Sequence, residues 1–209
     1  MINLVEKMSY KVDIRELQEV VIDFVSRYNW DRMSQMCLLN TPEHFEKYGP
    51  DPYEGTGHQL EPCLNASRAG AFGVPEQGFT VFHPDYENTI LGRIFKEFPE
   101  KVTRMRLMRA PSKACLTMHP DGPHYRYHIP VLANDRCFFV FKETQKIYFL
   151  PNDGHAYKCW VEGMHTFVNS NADFDRIHIL LDGVWGQPPP IGKDKSTYFL
   201  HQRRETAGL

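Results

Sequence analysis

Residues 102–109 read VTRMRLMR, and the fold is decided by how this stretch is read. Val102, Arg104, Arg106 and Met108 alternate with Thr103, Met105, Leu107 and Arg109, a period of two that sends successive side chains to opposite faces of a strand. Toward the C-terminus, further short runs of strand character follow at about 113–119, 124–132, 136–143, 145–150, 156–160, 164–169 and 175–182. Turn residues separate them, among them Asp121-Gly122-Pro123, Asn134-Asp135, Asn152-Asp153-Gly154 and Asn171-Ala172-Asp173. Toward the N-terminus the period lengthens. Leu91, Ile94, Phe95 and Phe98 predict an amphipathic helix within 87–98, stopped by Pro99. Ile14, Leu17, Val21, Phe24 and Tyr28 predict another within 13–28, opened by Asp13 and Glu16 at capping-box spacing. Many short strands after a mainly helical first part predict a mainly β fold, a sandwich or jelly roll with N-terminal α-helices buttressing one sheet.

At 209 residues the chain reads as one domain: a helical and loop part over 1–101, a β core over 102–185 and a C-terminal tail over 186–209. A net charge of −2 offers no basic surface for nucleic acid or an anionic membrane, so neither partner is expected. Five cysteines (37, 63, 115, 137 and 159) form no CxxC pair and read as reduced thiols. The start, MINLVEKMSYKVD, carries charges where a signal peptide needs an apolar run, so a cytoplasmic protein is expected. Between about 40 and 85 no period holds. His58, Asn65, Phe72 and Phe79 make that stretch either a cover over a site or plain surface loop. His44, His83, His155 and His201 fall in predicted loops or the tail and read as solvated.

The chemistry concentrates in the β part. His119 and Asp121 lie two residues apart, on one side of a strand, and His165 comes 46 residues later. Two histidines and a carboxylate form a face that suits Fe(II) and leaves three coordination positions for substrate and oxygen. A histidine and an aspartate two apart carry little weight alone in a chain with ten histidines; the strand context adds to it. Parity then places Arg176 and His178 on one face of the last strand and Ile177, Ile179 and Leu181 on the other. If the aliphatic face packs on helices, the arginine points inward, where it needs a ligand anion or an Asp or Glu of the core. His178 then reads as a core hydrogen-bonding group rather than a metal ligand. Arg126 and His128 share a face in the same way, as part of an enclosed anion site or as edge groups. His124 and Arg106 are candidate polar contacts to a substrate, each equally readable as a surface group.

The segments His119-Pro120-Asp121-Gly122-Pro123, Arg126-Tyr127-His128 and His165-Thr166-Phe167-Val168-Asn169 through Arg176-Ile177-His178-Ile179-Leu180-Leu181-Asp182 together resemble the aspartyl/asparaginyl β-hydroxylase family. Its members are Fe(II)- and 2-oxoglutarate-dependent dioxygenases with a double-stranded β-helix core, and the likeness covers about residues 102–185. The resemblance implies that His119, Asp121 and His165 hold iron and that Arg176 binds the distal carboxylate of 2-oxoglutarate. It also implies that Arg126 and His128 lie against that cosubstrate. Asp121 makes the chain more similar to the family's bacterial amino-acid hydroxylases than to its mammalian namesakes, which lack the carboxylate. The loop from His119 to His128 is shorter than in the protein-modifying members. The implied reaction consumes O2 and 2-oxoglutarate, releases succinate and carbon dioxide, and hydroxylates a C–H bond of a small, amino-acid-like substrate. Three alternatives stay open at this point: hydroxylation of Asp or Asn in a peptide or protein, a cupin-type metal-binding protein without oxygenase activity, and a non-catalytic interaction domain.

Overall fold

A computed structural model describes residues 4–27, 35–48, 79–121 and 124–184. In chain order the elements are β1 (Val5–Lys11), α1 (Ile14–Arg27), β2 (Gln35–Cys37), β3 (Leu39–Asn40), α2 (Pro42–Tyr48), β4 (Val81–Phe82), a 3-10 turn (Pro84–Tyr86) and α3 (Ile90–Glu97). Then come β5 (Val102–Ala110), β6 (Tyr125–Leu132), β7 (Cys137–Phe141), β8 (Lys146–Phe149), β9 (His155–Trp160), β10 (His165–Asn169) and β11 (Arg176–Gly183). A six-stranded sheet runs β1-β9-β6-β11-β5-β2, and a three-stranded sheet runs β10-β7-β8. All pairings are antiparallel, and the chain switches sheets at β6–β7, β8–β9, β9–β10 and β10–β11. This is the expected jelly roll, a double-stranded β-helix.

Parity decides what each face of the large sheet does. Met105, Leu107, Tyr127, Ile129, Val131, Ile177, Ile179 and Leu181 form one core with Leu17, Val21 and Phe24 of α1 and Ile90, Leu91 and Ile94 of α3. Each such side chain contributes roughly 1.5–3 kcal/mol on burial, which is what fastens the helices to the sheet. The opposite face carries Arg104, Arg106, Arg126, His128, Arg176, His178 and Asp182. It looks toward Phe139, Phe141 and Phe167 of the small sheet.

The α1 start follows the sequence only in part. Asp13 Oδ1 accepts from the backbone N–H groups of Arg15 and Glu16, but Glu16 turns away and pairs with Arg93 on α3. Helix α3 begins later than predicted because Thr89 caps it, accepting from the Leu91 N–H at 3.2 Å. Residues 113–119 do not form the predicted strand. They run beside β10 through isolated bridges, Cys115 to Val168 and His119 to His165. Pro111 and Pro120 have no N–H to give a ladder, and Lys113 adopts a positive φ of 59°. In the other direction, β1 and β2 supply the two edges of the large sheet from outside the expected core. In β1 a register shift between Lys7 and Lys11 breaks the alternation, so only Val5, Met8 and Tyr10 are partly buried.

His83 is buried rather than solvated, packed edge-on between Phe24 and Tyr86. His155 is half-buried, with Nδ1 3.0 Å from the Met8 carbonyl. Phe79 lies in the helix-side core. His58, Asn65, Phe72, His201 and the 186–209 tail lie outside the described residues. No described helix is long and apolar enough to cross a membrane.

Candidate metal centre

The metal face is assembled by one antiparallel contact. His119 and His165 sit directly opposite each other, each N–H donating to the other's carbonyl at 3.0 Å, which brings their rings to a centroid distance of 4.8 Å. His119 Nδ1 lies 2.6 Å from the Thr117 carbonyl, and His165 Nδ1 lies 2.8 Å from the Gly163 carbonyl. A carbonyl only accepts, so each Nδ1 carries a proton, which leaves Nε2 as the atom of each ring that can bind a metal. Asp121 follows His119 by two residues, held by its N–H on the Val161 carbonyl at 2.9 Å. Its Oδ2 is 3.4 Å from His165 Nε2 and 4.0 Å from His119 Nε2. Burial pushes this carboxyl up, but His165, Arg126 and His119 outweigh burial and hold it down at about 2. Among the described residues these three side chains form the metal-competent cluster. Both separations from Asp121 Oδ2 are within twice a bond length of about 2.1 Å, and all three ligand atoms lie within 4.8 Å of one another, a spacing that suits one divalent ion.

Behind this face lies an ionic knot. Register sets Asp182 opposite Arg104 on β5 and opposite Arg126 on β6. Arg104 Nε reaches its carboxylate at 3.0 Å, Arg106 Nη2 at 2.7 Å and Arg126 Nε at 3.1 Å. Arg126 also places Nη1 on Asp121 Oδ2, so one guanidinium ties the metal-facing carboxylate to the knot. Burial pushes Asp182 up, and Arg106, Arg104, Arg126 and His124 together drive it well below the usual carboxylate range. Arg106 also donates Nη1 to Gln35 Oε1 at 2.7 Å.

The other end of β11 is different. Arg176 is 1% exposed, its guanidinium lying 4.3 Å from the Phe167 ring centre and 5.7 Å from that of Phe139. Nη1 lies 2.5 Å from His178 Nδ1, Nη2 has no hydrogen-bond partner, and no ion pair to Arg176 occurs among the described residues. Burial lowers the guanidinium to about 10. His128 stacks on His178 at 5.0 Å, and neither of its ring nitrogens is hydrogen-bonded. Burial first, then Arg176, pushes both imidazoles well below 6.5. Asn169 fixes the crossing that delivers Arg176, its amide reaching the carbonyls of Ala110, Pro111 and Phe174 at 2.8–3.0 Å.

The structure therefore brings His119, Asp121 and His165 together, and Arg176 together with His128 and His178. Arg126 stands apart from the Arg176 pocket, between the two aspartates. Arg106 and His124 are both buried beside Asp182. Sequence reasoning missed Asp182 and Arg104. The available signal was parity: Asp182 shares a face with Arg176 and His178, an inward acid among inward arginines.

No protein-family model matches the chain, and no curated protein sequence does. Among solved structures it is similar to AviO1 from Streptomyces viridochromogenes Tue57, at 14% identity over 90% of this chain and 93% of that one, with a TM-score of 0.48. It is also similar to an oxidoreductase of the 2OG-Fe(II) oxygenase family from Burkholderia pseudomallei, at 14% identity over 86% and 84% with a TM-score of 0.43. A third is the capsular polysaccharide assembling protein CapF from Staphylococcus aureus, at 15% identity over 43% of this chain with a TM-score of 0.33. The match spans 25% of the CapF chain.

Proposed function

We propose that this chain is an Fe(II)- and 2-oxoglutarate-dependent oxygenase that hydroxylates a C–H bond of a small, amino-acid-like substrate. The observation that carries the reading is Arg176, a buried guanidinium without a carboxylate partner among the described residues, facing from β11 the small sheet whose strand β10 carries part of a three-donor metal face. Burying an ion without a counter-charge costs several kcal/mol, and a ligand carboxylate removes that cost. Arg176 lies over Phe167, two residues along β10 from His165 and so about 7 Å away along the strand. A five-carbon diacid spans that interval, with one end at the metal and the other at the arginine.

His119, Asp121 and His165 would hold the metal through two Nε2 atoms and a carboxylate oxygen. Fe(II) in such a site supplies a binding point for the 2-oxo acid and the redox chemistry that couples O2 reduction to C–H oxidation. The chain's own work is binding, orientation and exclusion of water. Arg176 forks onto the distal carboxylate, and the unpaired nitrogens of His128 offer polar contacts beside it. Phe139, Phe141 and Phe167 keep that end dry, Phe141 stacking on the His165 ring at 5.4 Å. Arg126 orients Asp121 through its bond to Oδ2. The His119 side chain is 38% exposed, which supports approach of a substrate from that side.

The direct test is release of succinate from 2-oxoglutarate by the Fe(II)-supplemented protein, with His165→Ala as control. The variant should lose both metal retention and turnover; full iron content and activity in it would end the assignment. Mass spectrometry across free amino acids and Asp- or Asn-containing peptides tests the substrate class. A gain of one oxygen on a peptide alone would overturn the small-substrate part.

A further inference from the structure

We propose that His178 is a positioning residue for Arg176, holding its guanidinium in the orientation that meets the distal carboxylate of the cosubstrate. The inference rests on the reading of Arg176 given above. A guanidinium lying on an aromatic face is held in its plane but is free to rotate within that plane, because the attraction is nearly the same at every angle about the ring normal. Phe167 and Phe139 therefore do not fix where the donors of Arg176 point. The in-plane contact from Nη1 to His178 Nδ1 does, and it leaves Nη2 unpartnered for a ligand. Accepting from a guanidinium requires an unprotonated Nδ1, which puts the ring proton of His178 on Nε2.

His178 is itself held from both sides. Its ring stacks on His128, and its backbone pairs with Met108 on β5 and Pro130 on β6. The choice of an imidazole at this position also has a physical reason. A carboxylate at 178 would orient Arg176 equally well but would cancel its charge and compete with the ligand. β11 uses that solution at Asp182, where the arginines are structural. A neutral acceptor orients the guanidinium and leaves the charge available.

The test is calorimetric titration of the Mn(II)-loaded protein with 2-oxoglutarate and with 2-oxovalerate, which has the same chain without the distal carboxylate. His178→Phe keeps the ring and its stack but removes the acceptor; His178→Asn restores an acceptor atom near the Nδ1 position without the ring. His178→Phe should weaken 2-oxoglutarate about tenfold and leave 2-oxovalerate unchanged, while His178→Asn stays within about threefold of the parent protein. Equal weakening of both acids by His178→Phe, or no weakening of 2-oxoglutarate, would overturn the inference. Arg176→Met separates the two levels. If it selectively weakens 2-oxoglutarate while His178→Phe does not, the inference fails alone. If Arg176→Met changes nothing, the reading of Arg176 fails, and the positioning role with it.

Discussion

At one end of β11, Asp182 is fully buried within reach of Arg104, Arg106 and Arg126, whereas six residues earlier on the same face Arg176 has, among the described residues, aromatic rings, an imidazole and cysteine thiols beside it and no carboxylate. Both ends place charge in a dry interior. At the Asp182 end, the two neighbouring strands β5 and β6 supply the opposite charge, so each guanidinium there has a carboxylate partner within the fold. At the Arg176 end, neutral groups hold the cation in place without cancelling it. Under the proposed function, the difference separates a charge that maintains the sheet from a charge kept for a ligand.

The largest effect should come from breaking the satisfied end. Asp182→Asn leaves three guanidinium groups facing a neutral amide, and loss of the shared partner of a buried ionic group costs roughly 3–5 kcal/mol. The denaturation midpoint should fall accordingly, and a midpoint near that of the parent protein would mean the arginines are compensated elsewhere. Arg176→Met is the reciprocal change. Ligand-free stability should hold or rise, because an uncompensated buried charge is removed, while 2-oxoglutarate dependence should weaken about ten- to a hundredfold, or about 1.5–3 kcal/mol. A large drop in ligand-free stability would instead make Arg176 a structural residue.

Acid should distinguish the two ends by the pH at which each is lost. Burial and then Arg176 depress His128 and His178 below 6.5, so the unfolded chain takes up protons there that the folded chain refuses. The stability tied to these rings is complete above pH 6.5 and declines as pH falls below it. Asp182 is depressed below 3.8 by its arginines against the opposing effect of burial. Its contribution is therefore complete above pH 3.8 and is lost only below that value. Chelator-treated protein should show two successive declines in stability on acidification, and Arg176→Met should soften the first while sparing the second. A single decline beginning near pH 4 would show that the imidazoles are not held neutral. The smallest effect lies outside both ends. Asp13→Ala removes the α1 cap and should cost about 1 kcal/mol, a scale against which the other two variants are judged.

Much of this was legible in the chain itself, for a local reason. Alternation over 102–109 and 176–182 is a property of strand geometry, and spacings of three and four over 14–24 are a property of the helix. Reading them was enough to predict a jelly roll buttressed by helices and to put Ile177, Ile179 and Leu181 on the helix side. The same rule failed at β1, where a register shift breaks the parity, and at 113–119, a stretch flanked by Pro111 and Pro120 that meets β10 only through isolated bridges. His83 was misread because its burial comes from Phe24 and Tyr86, which the local pattern does not connect to it.

The sequence by itself determined the periods, the inward and outward faces and the residue types a metal face needs. Parity says which side of a sheet a charge occupies; it does not say which other charge it meets. Partner choice depends on the register of β11 against β5 and β6, fixed by hydrogen bonds between strands about 50–80 residues apart in sequence. Only the tertiary structure therefore decided that Asp182 would stand between Arg104 and Arg126, that Arg126 would reach Asp121, and that Arg176 would face rings instead of an acid.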